Sequence, residues 1–346
     1  MTVRFTVTWR RAAITVAVLA LLGIGFIYSG IFNVAASTGH WRITTWVLHT
    51  TMRASVRTHA ALTAPKDPLD ASGLVSAANH FDQSCAACHG APGRRPPAVF
   101  QAATPAAPNL SINARDWTDR QLFWILQHGV KYSGMPAWPA LEREDEIRRM
   151  TAFVRRLPGM TPAVYARLTR PPVPAGTDPL LASCTTCHGA DGQGRGAPDI
   201  PVLAGQQPGV LAAALRAYRA GTRGSGVMEN AAAPLTDTAI DALARHYARL
   251  PGLAARAVSG DSAAARVIAD GLPAQQLPAC ASCHAPGKPY PVVTGQKPSY
   301  IAQRLRHWRG DKNVPDANKS NATMPAIARR IPEELIEPIA RELAGR

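Results

Sequence analysis

Cysteine, lysine and methionine are all scarce in this chain, and each scarcity narrows what it can be. The 346 residues include six cysteines, and all six fall in three short pairs, which leaves none for a structural disulfide. Six of the 38 basic residues are lysines, so 32 are arginines, and with alanine so abundant part of that bias is composition rather than a site. No basic run carries interleaved aromatics, which argues against nucleic acid as a partner. The formal charge of +15 points instead to an acidic partner or an anionic membrane surface. Beyond Met160 only two methionines remain, Met228 and Met324.

What is present, three times over, is Cys-x-x-Cys-His: Cys85, Cys88 and His89; Cys184, Cys187 and His188; Cys280, Cys283 and His284. This is the attachment signature of c-type haem. Two thiols add across the haem vinyl groups, and the next residue in the opening helical turn supplies an imidazole to the iron. The same cysteine spacing also serves as half a zinc site or as a redox dithiol. Zinc wants a second half-site nearby, whereas these motifs begin 99 and 96 residues apart. A redox dithiol needs a βαβ setting and no following histidine. The expectation is three covalently bound haem c groups, whose propionates offset part of the positive charge.

Along the chain, Arg4, Arg10 and Arg11 precede an uncharged run whose core, Ile14 to Phe32, is long enough to cross a bilayer. The arginines put the N-terminus in the cytoplasm and the remainder outside, on the side where c-type haem is attached. Val34-Ala35-Ala36 would also pass as a signal cleavage site, but the run is long for a signal core, which favours a retained anchor over residues 1–36. Residues 37–69 carry Trp41, Trp46, Arg42, Arg53 and Arg57 and read as a juxtamembrane tether or interfacial segment. A first domain follows over 70–158, with helices expected from Ala71 to Ser84, after an N-cap at Thr118, and from Glu142 to Arg156. A stiff Pro-rich linker spans 159–177. The second domain covers 178–252 and ends in a helix from Asp237 to Arg249; the third covers 253–346 and ends in one from Pro332 to Leu343.

The second and third domains are an internal repeat. Pro201 to Gln206 matches Pro291 to Gln296, and Leu215, Arg216, Tyr218 and Arg219 match Leu305, Arg306, Trp308 and Arg309, all at an offset of 90. The motifs recur at 96, so the loop after His284 is six residues shorter and the stretch before Met324 correspondingly longer.

Each iron also needs something on its other face. A thioether there raises the potential and closes the iron; an open site permits catalysis. Met228 and Met324 each lie 40 residues beyond their own motif histidine, in a loop before the domain's last helix, and are the expected ligands. In the first domain Met135 is 46 residues past His89 in a Gly-Met-Pro turn and is preferred to Met150, Met160 and His128. Pro108, Pro201 and Pro291 could offer carbonyls to the motif histidines. Arg219 and Arg309 could meet propionates, and Trp138, Tyr218 and Trp308 could pack on haem edges.

These residues resemble class I cytochromes c over nearly everything after residue 70. With the Pro-x-Leu/Val-x-Gly-Gln block and the late methionine, domains two and three resemble the double-domain bacterial dihaem cytochromes c. Trp124 to Gly129 and Gly134 to Trp138 make domain one similar to a branch often attached to membranes. Two departures stand out: domain two lacks a long helix before its motif, and Ala285 replaces the glycine found as Gly90 and Gly189. The resemblance implies an all-α fold of three tandem class I domains after one transmembrane helix, His/Met ligation and periplasmic electron transfer. The reading is a single-pass inner-membrane trihaem relay, an electron-transfer protein rather than an enzyme. Its partners would be a redox donor and acceptor, such as a dehydrogenase, a quinol-oxidising complex or a terminal oxidase. A cytochrome subunit of a membrane alcohol- or aldehyde-type dehydrogenase is the chief alternative, followed by a peroxidase-like haem enzyme and a haem-bearing scaffold.

Overall fold

The computed structural model describes residues 8–258, 260–310 and 323–345. Among them the chain is helical and without strands; two isolated bridges, Ala91–Arg94 and Leu272–Leu277, close tight turns. Helix α1 (Trp9–Tyr28), capped by Thr8, is long and apolar enough to cross a membrane by length and composition, and none of it is buried. Arg4 lies outside the described residues.

Residues 37–69, expected as a tether, carry a 22-residue helix, α2 (Arg42–Thr63). Val56 and Ala60, with Ala64 just past the helix end, repeat every fourth residue and are buried. They form a small-residue stripe flat enough for another helix to lie on. That helix is α7 (introduced below), whose Arg120 donates to the carbonyls of Ala61 (3.0 Å) and Ala64 (2.7 Å). The His59 ring stacks on Trp124 at 5.7 Å, and the Arg53 guanidinium lies 4.8 Å from the Trp117 ring. The N-terminal half of α2 leaves Trp41, Ile43 and Trp46 exposed.

The next region holds α3 (Leu74–His80), a π-type turn over Phe81–Cys85, α4 (Ala86–His89), α5 (Ala98–Gln101), α6 (Leu110–Asn113), α7 (Asp119–His128), α8 (Glu144–Arg156) and α9 (Pro162–Thr169). The helix expected from Ala71 therefore starts three residues later and widens into a π-turn before the motif. Thr118 and Gln121 form a capping box at the start of α7. Helix α8 opens on Glu144, Asp145 and Glu146 and closes on Arg155 and Arg156, matching the polarity of its backbone dipole. Phe81, Phe123, Ile147, Met150 and Phe153 are the fully buried centre. The stretch 159–177 is not wholly linker. Thr161 caps α9 with Pro162 in its first turn, and Tyr165 packs its ring 6.3 Å from Phe153 while donating to Asp82 (2.8 Å).

The remainder comprises α10 (Pro179–His188), α11 (Pro208–Arg219), α12 (Gly226–Ala232), α13 (Asp237–Arg249), α14 (Ala263–Asp270), α15 (Pro298–Gly310), α16 (Thr323–Ala328) and α17 (Glu333–Ala344). The repeat is visible in the packing, since α11 lies on α13 as α15 lies on α17. It also places the matching arginines. Arg216 and Arg219 both bind Asp237, at 3.0 and 2.9 Å, and Arg306 and Arg309 both bind Glu333, at 2.9 and 3.1 Å. Arg219 and Arg309, considered as propionate partners, are thus engaged in holding helix to helix. The longer stretch expected before Met324 lies outside the described residues.

The two repeats meet through their matching blocks. Gln296 accepts from the Val202 amide (2.9 Å) and donates to its carbonyl (3.0 Å); Gln206 does the same with Val292, at 2.9 and 3.0 Å. Val202, Ala204, Leu253 and Val292 make a small apolar cluster beside these bonds.

Candidate haem sites

All six cysteines are free thiols and half-buried. Burial, with neighbouring Cys88 adding to it, pushes the Cys85 thiol up to about 12; burial likewise takes Cys187 and Cys280 up to about 11. Redox dithiols need the opposite, a lowered thiol pKa. Among the described residues no three His, Cys, Asp or Glu side chains converge as a zinc cage would require.

The histidine after each pair is positioned by the loop that follows it. His89 Nδ1 lies 2.8 Å from the Pro108 carbonyl and His284 Nδ1 2.8 Å from that of Pro291. A carbonyl can only accept, so Nδ1 carries the proton and Nε2 keeps the lone pair a metal needs. His188 is buried, and its Nδ1 makes no well-aligned hydrogen bond, although the Pro201 carbonyl lies near enough to favour a proton on the ring against the burial. Burial holds its imidazole down to about 4, in the neutral form that can ligate.

The first two motifs end in a helical turn closed by a glycine with positive φ. A Cβ on Gly90 would sit 2.5 Å from the Arg94 carbonyl oxygen, and one on Gly189 2.5 Å from an Asp191 carboxylate oxygen. At the third, where Ala285 stands instead, Cys280–Ser282 is a short 3₁₀ turn. A cleft of about 80 Å³ opens there between Arg256, Ile268, Cys280, His284, Val293 and Leu343.

The three methionines sit in different settings. Met135 lies in the irregular turn between α7 and α8 and packs against the same apolar cluster as Cys85. Met324, second residue of α16, packs against the cluster that includes Cys280. Met228 is not in a loop but is the third residue of α12, whose N-cap Ser225 accepts from the Met228 amide (3.1 Å). Of the rivals in the first region, Met150 is 1% exposed among core side chains, and the His128 ring lies against Trp124 at 4.9 Å. Trp138, considered for a haem edge, lies against His80 at 4.9 Å and donates to Glu146 (3.2 Å). Glu146 itself was not singled out in the sequence; on an acidic first helical turn it looks like an ordinary solvated carboxylate.

Half-buried thiol pairs, imidazoles fixed through Nδ1 and an apolar cleft beside a motif are a donor set and setting that suit covalent haem c. Comparison with known proteins agrees. Residues 74–154 match the family described as cytochrome c oxidase, cbb3-type, subunit III, and residues 176–246 match cytochrome c. A thiosulfate dehydrogenase electron acceptor of Stutzerimonas stutzeri is 32% identical over 49% of this chain and 82% of its own length. Cytochrome c4 of Azotobacter vinelandii is 29% identical over 47% of this chain and 84% of its own. The solved cytochrome c4 of Acidithiobacillus ferrooxidans is 27% identical over 47% of this chain and 98% of its own, with a TM-score of 0.40.

Proposed function

Because this chain belongs to the cytochrome c family, we propose that it relays single electrons through three haem c groups, held in tandem domains at 70–158, 178–252 and 253–346. The observation that carries this reading is the pair of fixed imidazoles. His89 and His284 sit directly after their thiol pairs and are both locked at 2.8 Å onto a proline carbonyl. When bound, haem c supplies a one-electron iron couple.

The chain's own residues do the rest. Cys85 and Cys88, Cys184 and Cys187, and Cys280 and Cys283 hold the macrocycles. His89, His188 and His284 would supply imidazoles to the irons, and Met135, Met228 and Met324 thioethers, which would keep water and small ligands away. The proline carbonyls orient the rings and raise imidazole basicity. Helix α1, apolar after Arg10 and Arg11 in its first turn, supports a single-pass anchor in the cytoplasmic membrane, with the haem domains in the periplasm.

Mass analysis of the exported polypeptide should find three haem adducts, and a spectroscopic redox titration three one-electron centres. Fewer than three adducts overturns the reading. The anchor is tested by replacing residues 1–36 with a cleavable export signal, which should release a soluble holoprotein; a native chain that is already soluble after export refutes it.

A dehydrogenase partner is the second reading. It is favoured by the relative named as a thiosulfate dehydrogenase electron acceptor, which aligns over 82% of its own length. Electrons would then enter from a catalytic partner and leave towards a terminal oxidase.

A further inference from the structure

One carboxylate ties the first region to the second at the point where both present a candidate iron ligand. Glu146, in the first turn of α8, is 7% exposed. Its Oε1 accepts from the Ser225 hydroxyl at 2.6 Å, and its Oε2 from the Gly226 amide at 2.8 Å and the Trp138 indole at 3.2 Å. Arg143 balances the charge at 3.0 Å and donates to the Gly224 carbonyl at 2.8 Å. The Ser225 hydroxyl that donates to Glu146 also accepts from the Met228 amide at 3.1 Å. Two hydrogen bonds therefore connect a carboxylate of the first region to the backbone of Met228.

The neighbours of Met228 are held from the same side. Val227 packs into the apolar cluster of the first region, not the second. A Cβ on Gly226 would lie 2.4 Å from Trp138 Nε1, so the indole lies directly on this backbone. Trp138 itself follows Met135 by three residues, and its amide donates to the Gln127 carbonyl at 3.0 Å, which fixes the turn between α7 and α8. In a low-dielectric setting such a fully engaged carboxylate is a rigid node, and removing one partner costs more than an exposed bond would.

We propose that Glu146 is a positioning residue for the distal ligand of the second haem. Through Trp138 it also ties that ligand's segment to the Met135 turn, so the ligand spheres of haems one and two share a support. The inference rests on Met228 being an iron ligand. The haem-two domain does not contain this carboxylate; it comes from the preceding domain. Docking of the two domains and closure of the second iron are thereby one event.

The test uses the full-length holoprotein, with Glu146→Gln, Ser225→Ala and Met228→Ala compared by three readouts. These are the thioether-to-iron charge-transfer absorption of each oxidised haem, haem-resolved midpoints, and amide hydrogen exchange at Gly226 and Met228. Glu146→Gln turns one acceptor into a donor facing donors. It should weaken that absorption for one haem, lower the same midpoint that Met228→Ala lowers, and speed exchange at both amides by roughly tenfold. Ser225→Ala leaves the Glu146–Arg143 pair intact and cuts the relay; it should act in the same direction, and Ser225→Thr should restore the native signals. If Glu146→Gln fails to fold, Ser225→Ala decides. If Met228→Ala abolishes one haem's absorption while the other variants leave absorption, midpoint and exchange unchanged, the positioning role is refuted and the ligand assignment stands. If Met228→Ala changes nothing, the ligand assignment fails and takes the inference with it.

Discussion

Gln206 and Gln296 occupy equivalent places in the two repeats, and each binds the backbone of the other's matching block: Gln206 to Val292 and Gln296 to Val202, through both side-chain atoms. Their bonds differ by no more than 0.1 Å between the halves. The exchange places Pro201 and Pro291, the two prolines whose carbonyls face His188 and His284, on adjoining segments.

Gln206→Ala and Gln296→Ala should therefore destabilise the holoprotein to a similar degree. Each leaves a buried amide and a buried carbonyl of the opposite repeat without partners, which costs about 1–3 kcal/mol. Urea unfolding checks this; a large effect from one and none from the other would show that the symmetry of the bonds is not one of energy.

The neighbouring glycines break the symmetry. Both have positive φ, +75° at Gly205 and +83° at Gly295. A Cβ on Gly205 would meet the Leu253 carbonyl oxygen at 2.3 Å, whereas on Gly295 its nearest neighbour is Leu253 Cδ2 at 3.8 Å. Gly295→Ala should lose about 1–2 kcal/mol, from backbone conformation alone. Gly205→Ala should lose clearly more and disturb the junction at Leu253. Equal unfolding midpoints for the two variants would contradict the close approach.

Met135→Ala, Met228→Ala and Met324→Ala should each lower the midpoint of one haem, a different one in each case, and open that iron to carbon monoxide. A redox titration and a carbon monoxide difference spectrum measure both effects. A variant with unchanged midpoints and no new carbon monoxide signal removes that methionine from the ligand set.

Burial beside Trp138 holds the His80 imidazole down to about 4, from an ordinary 6.5. As the pH falls, the unfolded chain takes up this proton first. The stability that the neutral ring carries is thus full above about pH 6.5 and is lost progressively down to about pH 4, amounting to about 3 kcal/mol. Denaturant curves at pH 7.5, 5.5 and 4.5 should show a shallower acid decline for His80→Phe than for the native chain. Parallel declines would mean that His80 is accessible to protons.

Much of the site is readable in the sequence because its chemistry is local. Cys-x-x-Cys-His is five residues long, and the proline carbonyls that fix His89 and His284 lie 19 and 7 residues on. Helices with strong start signals are equally legible: Thr118 with Gln121 marks α7, and Thr236 caps α13. What escapes is long-range. Glu146 and Ser225 are 79 residues apart, and neither carries a local pattern that separates it from a surface acid and a plain N-cap. The docking of α2 escapes because its contact stripe is alanine and valine, too weakly apolar to read against 32 arginines. The ion pairs of Arg219 with Asp237 and of Arg309 with Glu333 escape as well, because each acid sits two helices later in the chain.

The grip of Arg120 on the last turn of α2 has a mechanical consequence. At about 1.5 Å per residue α2 is a rod of about 33 Å, and its far end is part of the first folded body. Swivelling of that body about α1 must then be taken up between Ser29 and Trp41, where Gly30 and Gly39 have positive φ. The short stretch from Ser29 to Trp41, bridged by the Phe32 ring between Phe26 and Trp41, is then the elbow through which α1 and the first folded body steer one another.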